Sequence, residues 1–276
     1  MKQLLLSLLL LITTQYSYAQ ADTLFTTSAT IPCIVKEITP EMVKYSHVGE
    51  ELVNSVYRNA VQKIVFQNGR VQTFTEAAAF KKVSNRKDFD NVTVTQLEGD
   101  VKGLFKIGEI SSAAQGATLF SDMGAVKERA FRKIKIMAAM MGANVVYLTQ
   151  NQTVTNSFNI HNNSTSATAG TFLSGAVYTT QLLNAEEFKA RLAGKTEFNV
   201  VEKASFKSGS NDMTVYPSKY KFKLREVKDD NGLIILDGDL QGASKYNKFR
   251  IASFDKDFFY IFYEEKGVYY NVKLVI

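Results

Sequence analysis

Between Asp22 and Phe74, apolar and polar positions alternate in short runs, "IPCIVKEI", "MVKYS", "NSVYR", "KIVF" and "RVQTF", separated by turn residues. A period of two puts successive side chains on opposite faces, so each run reads as a strand with one buried face. The Asn68-Gly69 pair between the last two runs predicts a hairpin with a type I′ turn, because both residues tolerate positive φ. The segment 20–75 is therefore expected to form a five- or six-stranded antiparallel unit. Cys33 alternates with Ile31 and Val35, which reads as a small buried apolar residue rather than a reactive thiol.

The period then changes. "TEAAAFKKVSNRKDFDN" loses the alternation and gains charge, so 76–90 reads as a linker. Two β-runs follow in "NVTVTQLEGDVKGLFKIGEISSA", and beyond a loop comes "DMGAVKERAFRKIKIMAAMM". At about 100° per residue this last stretch places Val126, Ala130, Ile134, Met137 and Met141 on one helical stripe. Ser121 stands at the expected N-cap, with Asp122 beside the positive helix end, and Gly142 sits where a left-handed residue stops a helix. "NVVYLTQ" begins at once after Ala143 and is apolar on both faces, which predicts a covered strand. Together with "FKIGEI" before the helix it has the spacing of a β-α-β crossover.

"NQTVTNSFNIHNNSTSATAGT" reads as a long polar hairpin loop, "FLSGAVYTT" as a returning strand and "NAEEFKARL" as a short helix. From Thr196 onward the pattern is β again, with turns at "DDNG" and "EKG". In "DFFYIFYEE", Phe258, Tyr260 and Phe262 share one face while Phe259, Ile261 and Tyr263 share the other. That predicts burial on both sides or one exposed aromatic face. The expected fold class is α+β. It comprises an antiparallel β N-terminal unit (20–75), a linker (76–90), an α/β middle unit with one main helix on a small sheet (91–183), a connecting helix (184–195) and an all-β C-terminal unit (196–276).

The first residues change the picture of where the chain works. Lys2, the apolar run from Leu4 to Ile12, and the small residues Ser17 and Ala19 form a secretory signal over 1–19, with the mature chain starting at Gln20. The apolar run falls well short of the roughly 20 residues needed to cross a bilayer, so the mature chain is expected to carry no transmembrane segment. Export to the periplasm follows, with the extracellular space as the alternative. A single cysteine excludes an internal disulfide, leaving the fold to a composition that is 45% hydrophobic. The formal charge of +6 is mild: it is compatible with anionic glycans, peptidoglycan or a membrane surface but reads as ordinary solvated charge, and no nucleic-acid partner is expected.

Catalytic patterns are missing from the sequence. The two histidines, His47 and His161, stand far apart, and no H-x-x-H or H-E-x-x-H spacing occurs. Nucleophile-elbow, Walker and dinucleotide-binding motifs are likewise missing. The pairs Asp229/Asp230 and Glu264/Glu265 fall at turns, where solvation accounts for charge. No catalytic, cofactor-binding or metal-ligating residue is therefore expected, and the chain reads as a non-enzyme. Two surfaces stand out instead. Ile136 lies among Arg129, Arg132 and Lys133 on the charged face of the main helix, and an apolar centre ringed by cations is how interface cores are built, whether for a partner or for another domain of the chain. Phe259 and Tyr263 are candidate ligand-face aromatics.

The order "GEIS", a loop, "ERAFRKIKIMAAMMGANVVYLT", a variable loop and "GTFLSGAVYTT" resembles the domain shared by the Rcs-type outer-membrane stress-sensor lipoprotein and the YbjQ-like proteins. The likeness spans about Asn91 to Leu183 and implies one helix on a small sheet. The stress sensor's lipidated and disulfide-bonded cysteines are missing from this chain, so neither its anchor nor its redox coupling is implied. "IPCIVKEITPEMVKY" followed by "VYRNAVQKIVFQNG" resembles a small β module at the front of exported Bacteroidota proteins. These readings imply an exported, non-catalytic cell-envelope protein that works by contact with another envelope protein or a polysaccharide. A secreted glycan-binding protein using the C-terminal aromatics is the alternative, and a hydrolase with a long-range carboxylate pair stands third.

Overall fold

The computed structural model describes residues 21–26, 29–74, 80–117, 121–154, 157–159, 164–166, 169–243 and 246–276. The leader expected at 1–19 lies outside the described residues. The chain is β-rich α+β and divides into two compact units, Met1–Ala79 and Phe80–Ile276.

The first unit is a six-stranded antiparallel sheet. Its strands are β1 (Asp22–Thr26), β2 (Thr30–Ile38), β3 (Met42–His47), β4 (Asn54–Tyr57), β5 (Val61–Val65) and β6 (Val71–Thr73), in the order β4-β3-β2-β1-β5-β6. The alternating positions meet in a core of Leu24, Cys33, Val43, Tyr45, Val61, Ile64 and Phe74. Asp22 joins two parts of the sheet, since its carboxylate accepts from the Val35 and Gln67 amides at 2.8 Å each. Cys33 is fully buried, and burial pushes its thiol up to about 11.

The Asn68-Gly69 turn forms differently from expectation. Gly69 takes φ +80 and donates to Phe66 O, the Phe66 amide donates to Arg70 O, and Asn68 accepts from the Arg70 amide through its side chain. Asn68 thus keeps a negative φ, and the loop is a three-residue type I turn closed by a left-handed glycine. Type I′ geometry appears instead in the second unit, at Asn231-Gly232 and Lys266-Gly267.

The second unit begins with β7 (Thr93–Thr95), β8 (Phe105–Gln115), helix α1 (Met123–Met140), β9 (Val145–Val154), β10 (Ser157–Asn159), β11 (Ser164–Ser166) and β12 (Gly170–Thr179). Four of these strands make a sheet in the order β7-β9-β12-β8, with β7 parallel to β9 and the other pairs antiparallel. The crossover expected around α1 is present, but β12 inserts between β8 and β9, so it is a split β-α-β unit. The polar segment read as a loop carries paired arms, β10 against β11, among the described residues. The helix N-cap is Asp122 rather than Ser121, its carboxylate accepting from the Gly124 amide at 2.8 Å.

The rest of the unit is α2 (Ala185–Leu192), β13 (Glu197–Lys207), β14 (Thr214–Pro217), β15 (Lys221–Asp230), β16 (Leu233–Leu240), β17 (Lys248–Phe254), β18 (Phe258–Glu265) and β19 (Val268–Val275). Successive strands pair antiparallel from β15 to β19, and β13 pairs with both β15 and β19, which closes a six-stranded barrel with β14 as a flanking arm. Inside lie Phe198, Phe222, Leu236, Phe249, Phe259, Ile261 and Tyr263, and α2 plugs one end through Phe188. The opposite face of the same strands, Ala204, Phe206, Ala252 and Phe262, packs on α1. Helix α1 is thus covered twice, by the four-stranded sheet and by the barrel wall.

The middle and C-terminal segments expected as separate units therefore share one core, and the segment expected as a linker enters it. Within 76–90, Phe80 and Arg86 are buried. Arg86 pairs with Glu202 and donates to Asn271 Oδ1 at 2.9 Å, and Asn271 Nδ2 donates to Met140 O at 2.8 Å. Arg250 donates to Met141 O at 3.0 Å and to Ile107 O. Two barrel side chains thereby satisfy carbonyls that the C-terminus of α1 leaves open, and Arg250 brings the charge that this end favours.

The step "MMGAN" is where these layers meet. Gly142 takes φ +81, and a Cβ there would fall 2.1 Å from Ala252 O, so only glycine lets the helix end against β17. Asn144 then ties strand ends together, accepting from the Thr180 amide at 3.2 Å and donating to Thr180 Oγ1 at 3.2 Å.

Candidate ligand-binding end of the barrel

The expected interaction face on α1 is corrected as a surface for a partner, since it is covered from within the chain. Ile136 is fully buried in the core cluster that α1 shares with the four-stranded sheet and the barrel wall, because the helix is apolar on two sides through "IKIMAAMMGA". Its cationic neighbours are committed within the unit. Lys133 Nζ donates to Ala113 O at 2.9 Å and Ser208 O at 3.0 Å. Arg132 pairs with Asp212 at 2.8 Å and covers the Phe89 ring, and Arg129 donates to Gln115 O at 3.1 Å. Arg129 and Lys133 still border an open cleft of about 830 Å³ with Asp122 and Ser208.

Phe259 and Tyr263 are corrected too, at 0% and 1% exposed. They face the barrel interior, where Phe259 meets Phe188 and Phe198 edge-on. Tyr263, however, leads to an aromatic cluster that does reach solvent. It lies toward the barrel end remote from α2, and the strands build it as follows.

Along β13 a register slip against β19 between Val200 and Glu202 re-aims the strand. Phe198 and Val200 point inward before it, and Lys203 and Ser205 point inward after it, because Lys203 pairs with Val272 and Ser205 with Tyr270. Tyr270 in turn pairs with Tyr263, and Tyr216 on β14 pairs with Lys203, so all these side chains share the concave side. Tyr246, just before β17, completes the group.

The rings are ordered. Tyr263 and Tyr270 stack at 4.7 Å and 16°, and Tyr246 stacks on Tyr263 at 5.2 Å and 29°. Phe249 meets Tyr263 edge-on at 5.3 Å. Lys203 Nζ lies 4.4 Å from the Tyr270 centroid and 5.8 Å from that of Tyr263. Tyr246 and Tyr216 remain 36% and 39% exposed, whereas Lys203 is 7% exposed. Burial lowers the Lys203 ammonium from its ordinary value, with Glu265 acting in the opposite sense. Burial also raises the phenols of Tyr263 and Tyr270, so both stay protonated donors at neutral pH. The buried Tyr263 hydroxyl finds no hydrogen-bond partner among the described residues.

Sequence reasoning passed over Lys203, Tyr216 and Tyr246. A lysine in an alternating strand reads as solvent-facing, and only the slip at Val201 turns it inward. Among the described residues no three of His, Cys, Asp and Glu converge as a metal site would require, and no helix is long and apolar enough to cross a membrane. Comparison with family models, with curated proteins and with solved structures gives no match.

Proposed function

We propose that this chain is an exported, non-catalytic binding module of the cell envelope that holds an envelope polysaccharide at the tyrosine-lined end of its C-terminal barrel. One observation carries the reading: Tyr216 and Tyr246 stand a third or more exposed beside the buried Tyr263 and the half-buried Tyr270, around Lys203. Rings held flat by stacking offer an apolar face at small entropic cost, with phenol hydroxyls at the edge for polar groups, and barrel ends are common places for small ligands. Export rests on the signal pattern of 1–19, and the likeness of 91–183 to an envelope stress-sensor domain supports the setting.

The test is a binding panel of acidic and neutral bacterial glycans, with peptidoglycan co-sedimentation, using the chain from Gln20. Retention by specific glycans, weakened about tenfold or more by Tyr246→Ala and unchanged by Arg129→Ala, is the expected result. Binding to no glycan, with a discrete protein adduct from a photocrosslinker at position 246, would move the function to a protein partner.

A further inference from the structure

The barrel end carries a feature that stacking on neutral sugars does not explain. Lys203 is 7% exposed, its ammonium lies over the ring faces of Tyr270 and Tyr263, and Glu265 attracts it electrostatically. Ring faces return part of the hydration that a buried cation loses, but less than a carboxylate at contact distance would. Beside it the Tyr263 hydroxyl is buried without a partner. Both groups are donors, and an aliphatic side chain of similar length would fill the same space without a buried charge. Two under-used donors among stacked rings describe a site for an anion attached to a ring.

Resting on the glycan reading of this barrel end, we infer that the polysaccharide held there carries a carboxylate, and that Lys203 is the residue that recognises it. The tyrosines supply the stacking surface that any sugar could use, and the ammonium supplies the preference for an acidic one. Charge-assisted contacts of this kind are the stronger hydrogen bonds, and they gain strength where water is excluded.

The experiment takes the acidic glycans of the binding panel and compares each with its carboxyl-methyl ester, on the wild-type chain and on Lys203→Met, by titration calorimetry. For the wild type the acid is expected to bind about tenfold or more tightly than the ester. In Lys203→Met the two are expected to bind alike, at the level of the wild-type ester, while the melting temperature holds or rises. Equal binding of acid and ester by the wild type, both weakened by Tyr246→Ala, would overturn the carboxylate inference and leave the glycan reading standing. Binding by neutral glycans alone would do the same. No binding to any glycan would remove both. Because the ester comparison uses the wild-type protein, it discriminates between these outcomes even if Lys203→Met fails to fold.

Discussion

Ile136→Ala tests whether α1 is enclosed on both sides. Ile136 is 0% exposed and belongs to the core cluster that includes Ala204, Phe206, Ala252 and Phe262 of the barrel wall. Truncation removes the buried carbons and leaves a cavity in that cluster. Changes of this kind cost about 2–5 kcal/mol. A cost near 3 kcal/mol would lower the melting temperature of a unit the size of Phe80–Ile276 by about 6–12 °C. The assay is thermal unfolding followed by near-ultraviolet tyrosine dichroism, with hydrogen exchange of the α1 peptides to assign the loss to this unit. Lys127→Ala, at an exposed position of the same helix, serves as the control and should stay within about 0.5 kcal/mol of wild type. If Ile136→Ala matched that control, the outer face of α1 would be free in solution and its packing on the barrel wall would be wrong.

Other consequences are equally concrete. Gly142→Ala should destabilise the second unit by about 2 kcal/mol or more, since it adds a left-handed backbone penalty to a clash with Ala252 O; chemical denaturation measures it. Cys33, buried and with its thiol raised to about 11, should resist iodoacetamide at about pH 8 in the folded chain and react readily in denaturant, as read by mass spectrometry. Lys203→Met should exceed wild type in stability at neutral pH. The folded lysine is depressed below its unfolded value of about 10.4, so the unfolded wild type binds more protons in that window and its stability climbs with pH. The advantage of Lys203→Met should therefore narrow as pH approaches that value, as paired urea titrations would report. Expressed in a Gram-negative host, the chain should appear in the periplasmic fraction with an intact mass that begins at Gln20.

The parts of the fold legible in the sequence were those set by local periodicity. Alternation in the first unit, the helical stripe from Val126 to Met141, the glycine stop at Gly142 and the short helix at Ala185–Leu192 all follow from positions a few residues apart. What escaped depends on distant strands. Ile136 looked exposed because its neighbours in the helix are cationic, yet the run of small and apolar residues through Ala138, Ala139 and Gly142 already allowed a second layer to approach. Arg86, Arg250 and Asn271 are polar groups whose burial makes sense only with Glu202, Met140 O and Met141 O in place. Lys203 faces inward because of one slipped residue, and Tyr216 joins it only through pairing across strands. Aromatic density in "FFYIFY" pointed to the right strand, but the residues facing solvent lie elsewhere, Tyr246 ahead of β17 and Tyr216 on β14.

The most direct measurement is the affinity of the chain from Gln20 for the best-retained glycan of the panel, with and without Tyr246→Ala. A loss of about tenfold or more in that variant, with unchanged melting and unchanged binding by Arg129→Ala, is what a stacking site at the barrel end requires. Undiminished binding by a folded Tyr246→Ala would place the ligand elsewhere and contradict the account.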